Sequence, residues 1–215
     1  MKHSNFKLNL AVTLGLVAGL ILTAGCSKEA GGPSALESQT LKNLQTAYNG
    51  ERNAQAKYEQ YAVKADQEGY HQVASLFRAA ALSESIHASN DAAVILSLGA
   101  QPQAKVELPE ILTTADNLAA ALEGETYEAT TMYPDFLEQA KADGIGGAIR
   151  TFIWSQQAEV EHAKYYKQAL EDLDNWKEGT KAFLVCSRCG YTTTDLDLQK
   201  CPVCSEPREG LKEVS

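Results

Sequence analysis

Four stretches of this chain repeat apolar residues alternately three and four positions apart, and each interrupts that stripe midway with carboxylate or imidazole. On the first, Leu41, Leu44, Tyr48, Glu51, Gln55, Tyr58, Ala62 and Ala65 share a face; on the second, Val73, Phe77, Ala80, Glu84, His87, Asp91, Val94 and Leu98 do. Leu118, Ala121, Glu125, Glu128 and Met132 make the third, and Ala148, Phe152, Ser155, Glu159, His162, Tyr166, Ala169 and Leu173 the fourth. This spacing predicts four amphipathic helices whose inward faces all carry ionisable groups.

The connections set the topology. Glu68-Gly69-Tyr70 and the segment from Asp143 to Gly147 are short turns, so the helices pair as two antiparallel hairpins. Gly99 to Thr113, broken by Pro102 and Pro109, is much longer. A helix of about 27 residues is roughly 40 Å long, and extended chain covers about 3.3 Å per residue, so this segment can return along the whole bundle. One long crossover between two hairpins predicts an all-α four-helix bundle of the ferritin-like arrangement, spanning residues 39–176. Counted from the turns, the ionisable groups within each hairpin fall within about two helical turns of one another in depth. They can therefore meet in one layer.

Glu51, Glu84, Glu125, Glu128 and Glu159 facing one another in an interior would repel unless protonated or coordinated. Two divalent cations bridged by carboxylates relieve that repulsion. A Glu from each of two helices plus Glu-x-x-His from each of the other two is the di-iron or di-manganese pattern, and Glu84-x-x-His87 and Glu159-x-x-His162 supply the second half. A single Glu-x-x-His is common on solvated helices; two of them with two further glutamates at matched phase and height are not.

Near the C-terminus, Cys186-x-x-Cys189 and Cys201-x-x-Cys204 form two matched knuckles, Cys189-Gly190 and Cys201-Pro202, in a small module over residues 177–215. Two such knuckles suit tetrahedral thiolate coordination of one ion, and the alternative is a pair of disulfides. Iron would make the site a one-electron relay and zinc a structural ribbon; the spacing fits both. A module this small needs its metal to hold together.

The N-terminus reads as an address. Lys2 and Lys7 precede an apolar run from Leu8 to Ala24, closed by Leu22-Thr23-Ala24-Gly25-Cys26. Small residues directly before a cysteine resemble the lipobox of bacterial lipoproteins, so residues 1–25 are expected to be a signal peptide, Cys26 a lipidated N-terminus, and residues 26–38 a flexible tether. An uncleaved membrane anchor is the alternative. In either case the body of the protein is expected outside the cytoplasmic membrane, facing the periplasm or cell exterior. Lipidation of Cys26 also resolves the odd count of 5 cysteines into two pairs. The formal charge of −9 becomes 17 − 28 = −11 once Lys2 and Lys7 are removed, which argues against a nucleic-acid partner.

The chain resembles the rubrerythrin family over about residues 40–210. The resemblance rests on Ala47-Tyr48-Asn49-Gly50-Glu51, on Leu76-Phe77-Arg78-Ala79-Ala80 leading to Glu84-x-x-His87, and on Gly124-Glu125-x-x-Glu128 running to Met132-Tyr133-Pro134. Ala158-Glu159-x-x-His162-Ala163, Cys186-x-x-Cys189-Gly190-Tyr191 and Cys201-Pro202-x-Cys204 complete it. It implies that the C-terminal module is rubredoxin-like and holds iron. Glu51, Glu84, His87, Glu125, Glu128, Glu159 and His162 become di-iron ligands, with Glu84 and Glu159 bridging and with Glu128 and His87 exchanging at one iron as its redox state changes. It implies a peroxidase reducing hydrogen peroxide to water, with electrons relayed from the four-cysteine iron. It also implies a homodimer in which the relay of one subunit serves the di-iron site of another.

Tyr58 and Tyr133 can point into the layer and hydrogen-bond a coordinated carboxylate, or serve as core aromatics. Asp91 is placed to orient His87 or to close the layer's edge. Ser83 and Ser85 stand where many relatives carry acids, and Glu161 offers a carboxylate on another face; none alters an expected ligand position. Thr192 to Lys200 lacks the Gly and Pro usual before the second knuckle. Export removes nicotinamide cofactors as a direct electron source, so an exported redox protein is expected as donor. Two other functions fit the residues: a ferroxidase or iron-handling protein, and an electron carrier using the cysteine site alone.

Overall fold

The computed structural model describes Met1 and residues 38–215. The expected signal peptide, the lipidated Cys26 and nearly all of the tether lie outside the described residues. Among the described residues, no helix is long and apolar enough to cross a membrane.

Helices α1 (Gln39–Gln67) and α2 (His71–Ser97) form the first hairpin. The second consists of α3 (Thr114–Tyr127), a π-helical segment (Glu128–Met132), α4 (Tyr133–Ala142) and α5 (Gly146–Glu171). The first turns of α1 and α3 are tied locally. The Ser38 hydroxyl accepts from the Leu41 N–H at 3.1 Å, and the Thr113 hydroxyl accepts from the Asp116 N–H at 3.2 Å. These side chains satisfy N–H groups that a helix cannot pair internally.

The crossover from Gly99 to Thr113 is held along α1 by a ladder of side-chain amides. Gln45 bonds the Gln101 carbonyl and the Gln103 N–H, Asn49 accepts from the Lys105 N–H, and Asn53 bonds the Lys105 carbonyl and the Glu107 N–H. The match is metric: four helical residues rise about 6 Å and two extended residues about 6.6 Å, so amides one turn apart meet every second crossover residue.

Even helical spacing predicted one uninterrupted third helix, and the structure departs from this at Glu128–Met132. Pro134 has no N–H and cannot pair with the carbonyl four residues earlier. The turn widens instead: the Tyr133 N–H reaches back to the Glu128 carbonyl, and the Ala129 carbonyl accepts from Gln156 Nε2 at 3.0 Å. Such single π turns concentrate at functional sites.

The buried apolar residues form two clusters within the bundle, one around Tyr58, Phe77, Leu118 and Tyr166, the other around Leu44, Ile95, Tyr133 and Phe152. Each fully buried side chain of this size contributes about 1.5–3 kcal/mol. A 3₁₀ turn (Leu173–Trp176) leads to a three-stranded antiparallel sheet of β1 (Phe183–Cys186), β2 (Thr192–Thr193) and β3 (Leu211–Val214), in the order β2-β1-β3. Phe183 and Val185 of β1 belong to the first apolar cluster, while Leu184 packs with the cysteines. The strand's two-residue alternation thus fastens the small sheet to the bundle with one face and builds its own core with the other.

Candidate metal centres

Helix phase brings the bundle's ionisable groups together. Glu51, Glu84, His87 and Glu159 can each place one donor atom within 4.8 Å of the others, and so can Glu84, Glu125, Glu159 and His162. Glu84 and Glu159 belong to both groups. All six residues are at most 1% exposed.

Apart from His87 Nδ1 and Glu84 Oε2, which hydrogen-bond, the donor atoms are close but do not satisfy one another. Glu159 Oε2 lies 2.9 Å from His162 Nδ1, yet neither atom makes a hydrogen bond. Glu51 Oε2, Glu84 Oε1, Glu125 Oε2 and Glu159 Oε1 are buried and likewise without hydrogen-bond partners. Atoms at contact distance with misaligned lone pairs are aimed at common points between them, as ligands of shared ions are. Oxygen with one imidazole in each group is the donor set of an iron or manganese pair.

The electrostatics agree. Burial pushes the carboxyls of Glu51 and Glu125 up, Glu125 to about 7, and the neighbouring Glu84 carboxylate pushes them further. Burial would raise Glu84 as well, but His162 and His87 bring it below the ordinary range. Resident cations remove this conflict among buried carboxylates.

Tyrosines hold the two outer carboxylates. The Tyr58 hydroxyl donates to Glu125 and the Tyr133 hydroxyl to Glu51. Tyr166, which the sequence marked only as apolar stripe, packs edge-on against Tyr58 with ring centroids 5.7 Å apart.

Glu128 stands apart from both donor groups. It lies on the π segment, with Oε1 4.0 Å from the position a Cβ on Gly50 would occupy. Burial and then Glu125 push its carboxyl up. Asp91 does not reach His87 with a hydrogen bond; its Oδ1 accepts from the Thr151 hydroxyl at 3.2 Å.

The four thiols of the C-terminal module converge, with Cys186 Sγ 3.4 Å from Cys204 Sγ and Cys189 Sγ 3.5 Å from Cys201 Sγ. A disulfide needs about 2.05 Å, whereas four sulfurs placed tetrahedrally about 2.3 Å from one ion lie about 3.8 Å apart. The cysteines are free, and their arrangement is that of a thiolate metal site.

The two centres touch through the first knuckle. His87 turns Nδ1 to Glu84 at 2.9 Å, and its Nε2 lies 3.2 Å from the Cys189 carbonyl. The Ser83 hydroxyl donates to the Gly190 carbonyl at 2.7 Å and sits 3.3 Å from His87 Nε2. On the other histidine, His162 Nε2 lies 3.1 Å from the Thr192 hydroxyl. Gly190 has φ +79°, and a Cβ there would fall 2.2 Å from His87 Nε2, so only glycine allows this approach.

Ser83, assigned no part from sequence, clamps the knuckle against His87. The knuckle that meets the histidines here belongs to the same chain. Neither Ser83 nor Thr192 carries a local signal, because each acquires its role from a partner remote in sequence.

Residues 42–170 match the protein family described as Rubrerythrin. The chain is 35% identical over 171 residues to nigerythrin of Nitratidesulfovibrio vulgaris, covering 79% of this chain and 84% of that protein. It is 33% identical over 175 residues to rubrerythrin of Porphyromonas gingivalis, covering 80% and 88%. Among solved structures, the fully reduced, all-ferrous state of nigerythrin superposes with a TM-score of 0.75 at 34% identity, covering 88% of this chain and 91% of that one.

Proposed function

The chain belongs to the rubrerythrin family, and on that premise we propose that it is a non-haem di-iron peroxidase reducing hydrogen peroxide to water, with electrons relayed from a four-cysteine iron. The observation that carries this is the 3.2 Å approach of the Cys189 carbonyl to His87 Nε2, which joins a cysteine of the sulfur site to a histidine of the carboxylate site. A ferroxidase has no need of a relay at that position, and a carrier using the sulfur site alone has no need of the carboxylate layer.

Glu51, Glu84, His87 and Glu159 would hold one iron and Glu84, Glu125, Glu159 and His162 the other, with Glu84 and Glu159 bridging. When bound, the irons supply the two electrons that cleave the O–O bond; each peroxide also takes two protons and leaves as two waters. Tyr58 and Tyr133 fix the orientation of Glu125 and Glu51. Glu128 and His87 would be alternative ligands at one iron, since carboxylate oxygen suits the ferric ion and imidazole the ferrous. The π segment gives Glu128 a backbone whose carbonyl register is already irregular. Iron occupies the Cys186, Cys189, Cys201 and Cys204 site in this reading, and zinc there would leave the layer without its relay.

The setting is also proposed. Lipidation of Cys26 tethers an exported protein by its lipid alone, facing the periplasm or cell exterior as a homodimer, and an exported one-electron carrier reduces it. The decisive experiment gives iron-loaded, anaerobically purified protein a one-electron donor and hydrogen peroxide, then separately ferrous iron and dioxygen. Donor oxidation dependent on peroxide is expected. Ferrous oxidation by dioxygen with peroxide left untouched would establish the ferroxidase instead.

A further inference from the structure

Beyond the two metal centres, the bundle holds a buried carboxylate that the proposed chemistry does not use as a ligand. Asp91 is fully buried; its Oδ1 accepts from Thr151 at 3.2 Å, and its Oδ2 has no hydrogen-bond partner. Ser155, one turn beyond Thr151 on α5 and one turn before Glu159, is also fully buried with an unpartnered hydroxyl. Thr151, 2% exposed, lines a cavity of about 220 Å³ together with Asn90, Val94, Gly147, Arg150 and Trp154. Thr151, Ser155 and Glu159 stand at successive turns of α5, and Asp91, bonded to Thr151, stands one turn from His87 on α2, so polar side chains mark the way from this cavity toward the donor layer.

A purely structural role explains this poorly. An unpaired polar atom in an interior costs about 1–3 kcal/mol, and two of them on facing helices call for a use. We infer that Asp91, supplied by Thr151 from the cavity and discharging toward Ser155 and Glu159, is the proton relay that feeds the di-iron layer. This rests on the peroxidase reading, in which every peroxide takes two electrons from the four-cysteine iron, refilled by an external one-electron donor, and two protons from solvent. The Thr151 hydroxyl already donates toward Asp91, so a proton released there is replaced at the hydroxyl from the cavity, and the O–H turns back before the next transfer. Burial pushes the Asp91 carboxyl up to about 7, with His87 on its own helix opposing and Glu159 on α5 reinforcing; Tyr133 on α4 also lies within its field. Such a group takes up and gives up protons near neutral pH.

The test uses the full iron-loaded protein with Asp91→Asn, which keeps the oxygen that accepts from Thr151 and removes the proton carrier. Peroxide turnover is expected to fall about 10- to 100-fold with iron content unchanged and the solvent deuterium isotope effect on turnover increased. In the infrared difference between wild type and Asp91→Asn at neutral pH, a carboxylic-acid carbonyl band should appear and shift in D₂O. That shift should slow in Thr151→Val and recover in Thr151→Ser, which a merely structural clip between α2 and α5 would not produce. Should Asp91→Asn lose its iron, the Thr151 pair decides by the same readouts. Wild type without peroxide turnover overturns the peroxidase reading and the relay with it. Turnover and isotope effect unchanged in Asp91→Asn and Thr151→Val overturn the relay alone.

Discussion

The carbonyl oxygen of Cys189 lies 3.2 Å from Nε2 of His87, so a cysteine of one metal site and a histidine of the other are separated by a single contact. That contact exists because Gly190, the next residue, has no side chain and takes φ +79°.

Gly190→Ala should therefore uncouple the two centres. The added Cβ must displace either the knuckle or the His87 ring, which breaks the Cys189–His87 contact and lengthens the path between the two sites. Stopped-flow mixing of the reduced protein with peroxide should show slower reoxidation of the four-cysteine iron, while iron content stays at that of wild type. Reoxidation at the wild-type rate would mean that electrons take another route.

Replacing both Glu84 and Glu159 with alanine should empty the bundle of iron and leave the cysteine site loaded. Metal analysis should fall from about three irons per chain to about one, and the thiolate-to-iron absorption should persist. Retention of all the iron would show that these two carboxylates do not bridge.

Stability should carry a pH signature at the end of α1. Glu68 Oε2 accepts from the Thr114 N–H at 2.8 Å and its hydroxyl at 2.6 Å; these bonds, with Lys64 beside them, hold the carboxyl at about 2 against an ordinary 4.5. Because the folded value is depressed, this contribution is complete above about pH 4.5 and is lost as pH falls toward about 2. Glu68→Gln should cost about 1 kcal/mol at pH 7, the scale of a helix cap, and the gap to wild type should narrow between about pH 4.5 and pH 3 in urea titrations. A gap constant with pH would assign the loss to packing.

Cys26→Ser should release the protein from membranes. Intact mass should lose the diacyl increment, and fractionation should move the chain to the soluble pool with its peroxide turnover intact. Continued membrane association of the variant would favour an uncleaved anchor.

What was legible in the sequence was local. Residues three and four apart share a helical face whatever surrounds them, so Glu51, Glu84, His87, Glu125, Glu159 and His162 could be placed on inward stripes before any packing was known. The crossover length followed from rise per residue, although the ladder of Gln45, Asn49 and Asn53 that fastens it was not foreseen. The break at Glu128–Met132 was missed because apolar spacing tolerates one inserted residue; Pro134 was the only signal for it.

The sequence by itself determined the four stripes, their heights, the two hairpins and the pairing of the cysteine knuckles, since each follows from periodicity and chain length. Only the tertiary structure decided that the knuckle sits on its own chain's histidines, that Ser83 clamps it, and that Asp91 turns to Thr151. These are contacts between distant segments, such as Ser83 and Gly190, 107 residues apart. The knuckle contacts depend on how the sheet's Phe183 and Val185 pack into the bundle, which no local pattern encodes.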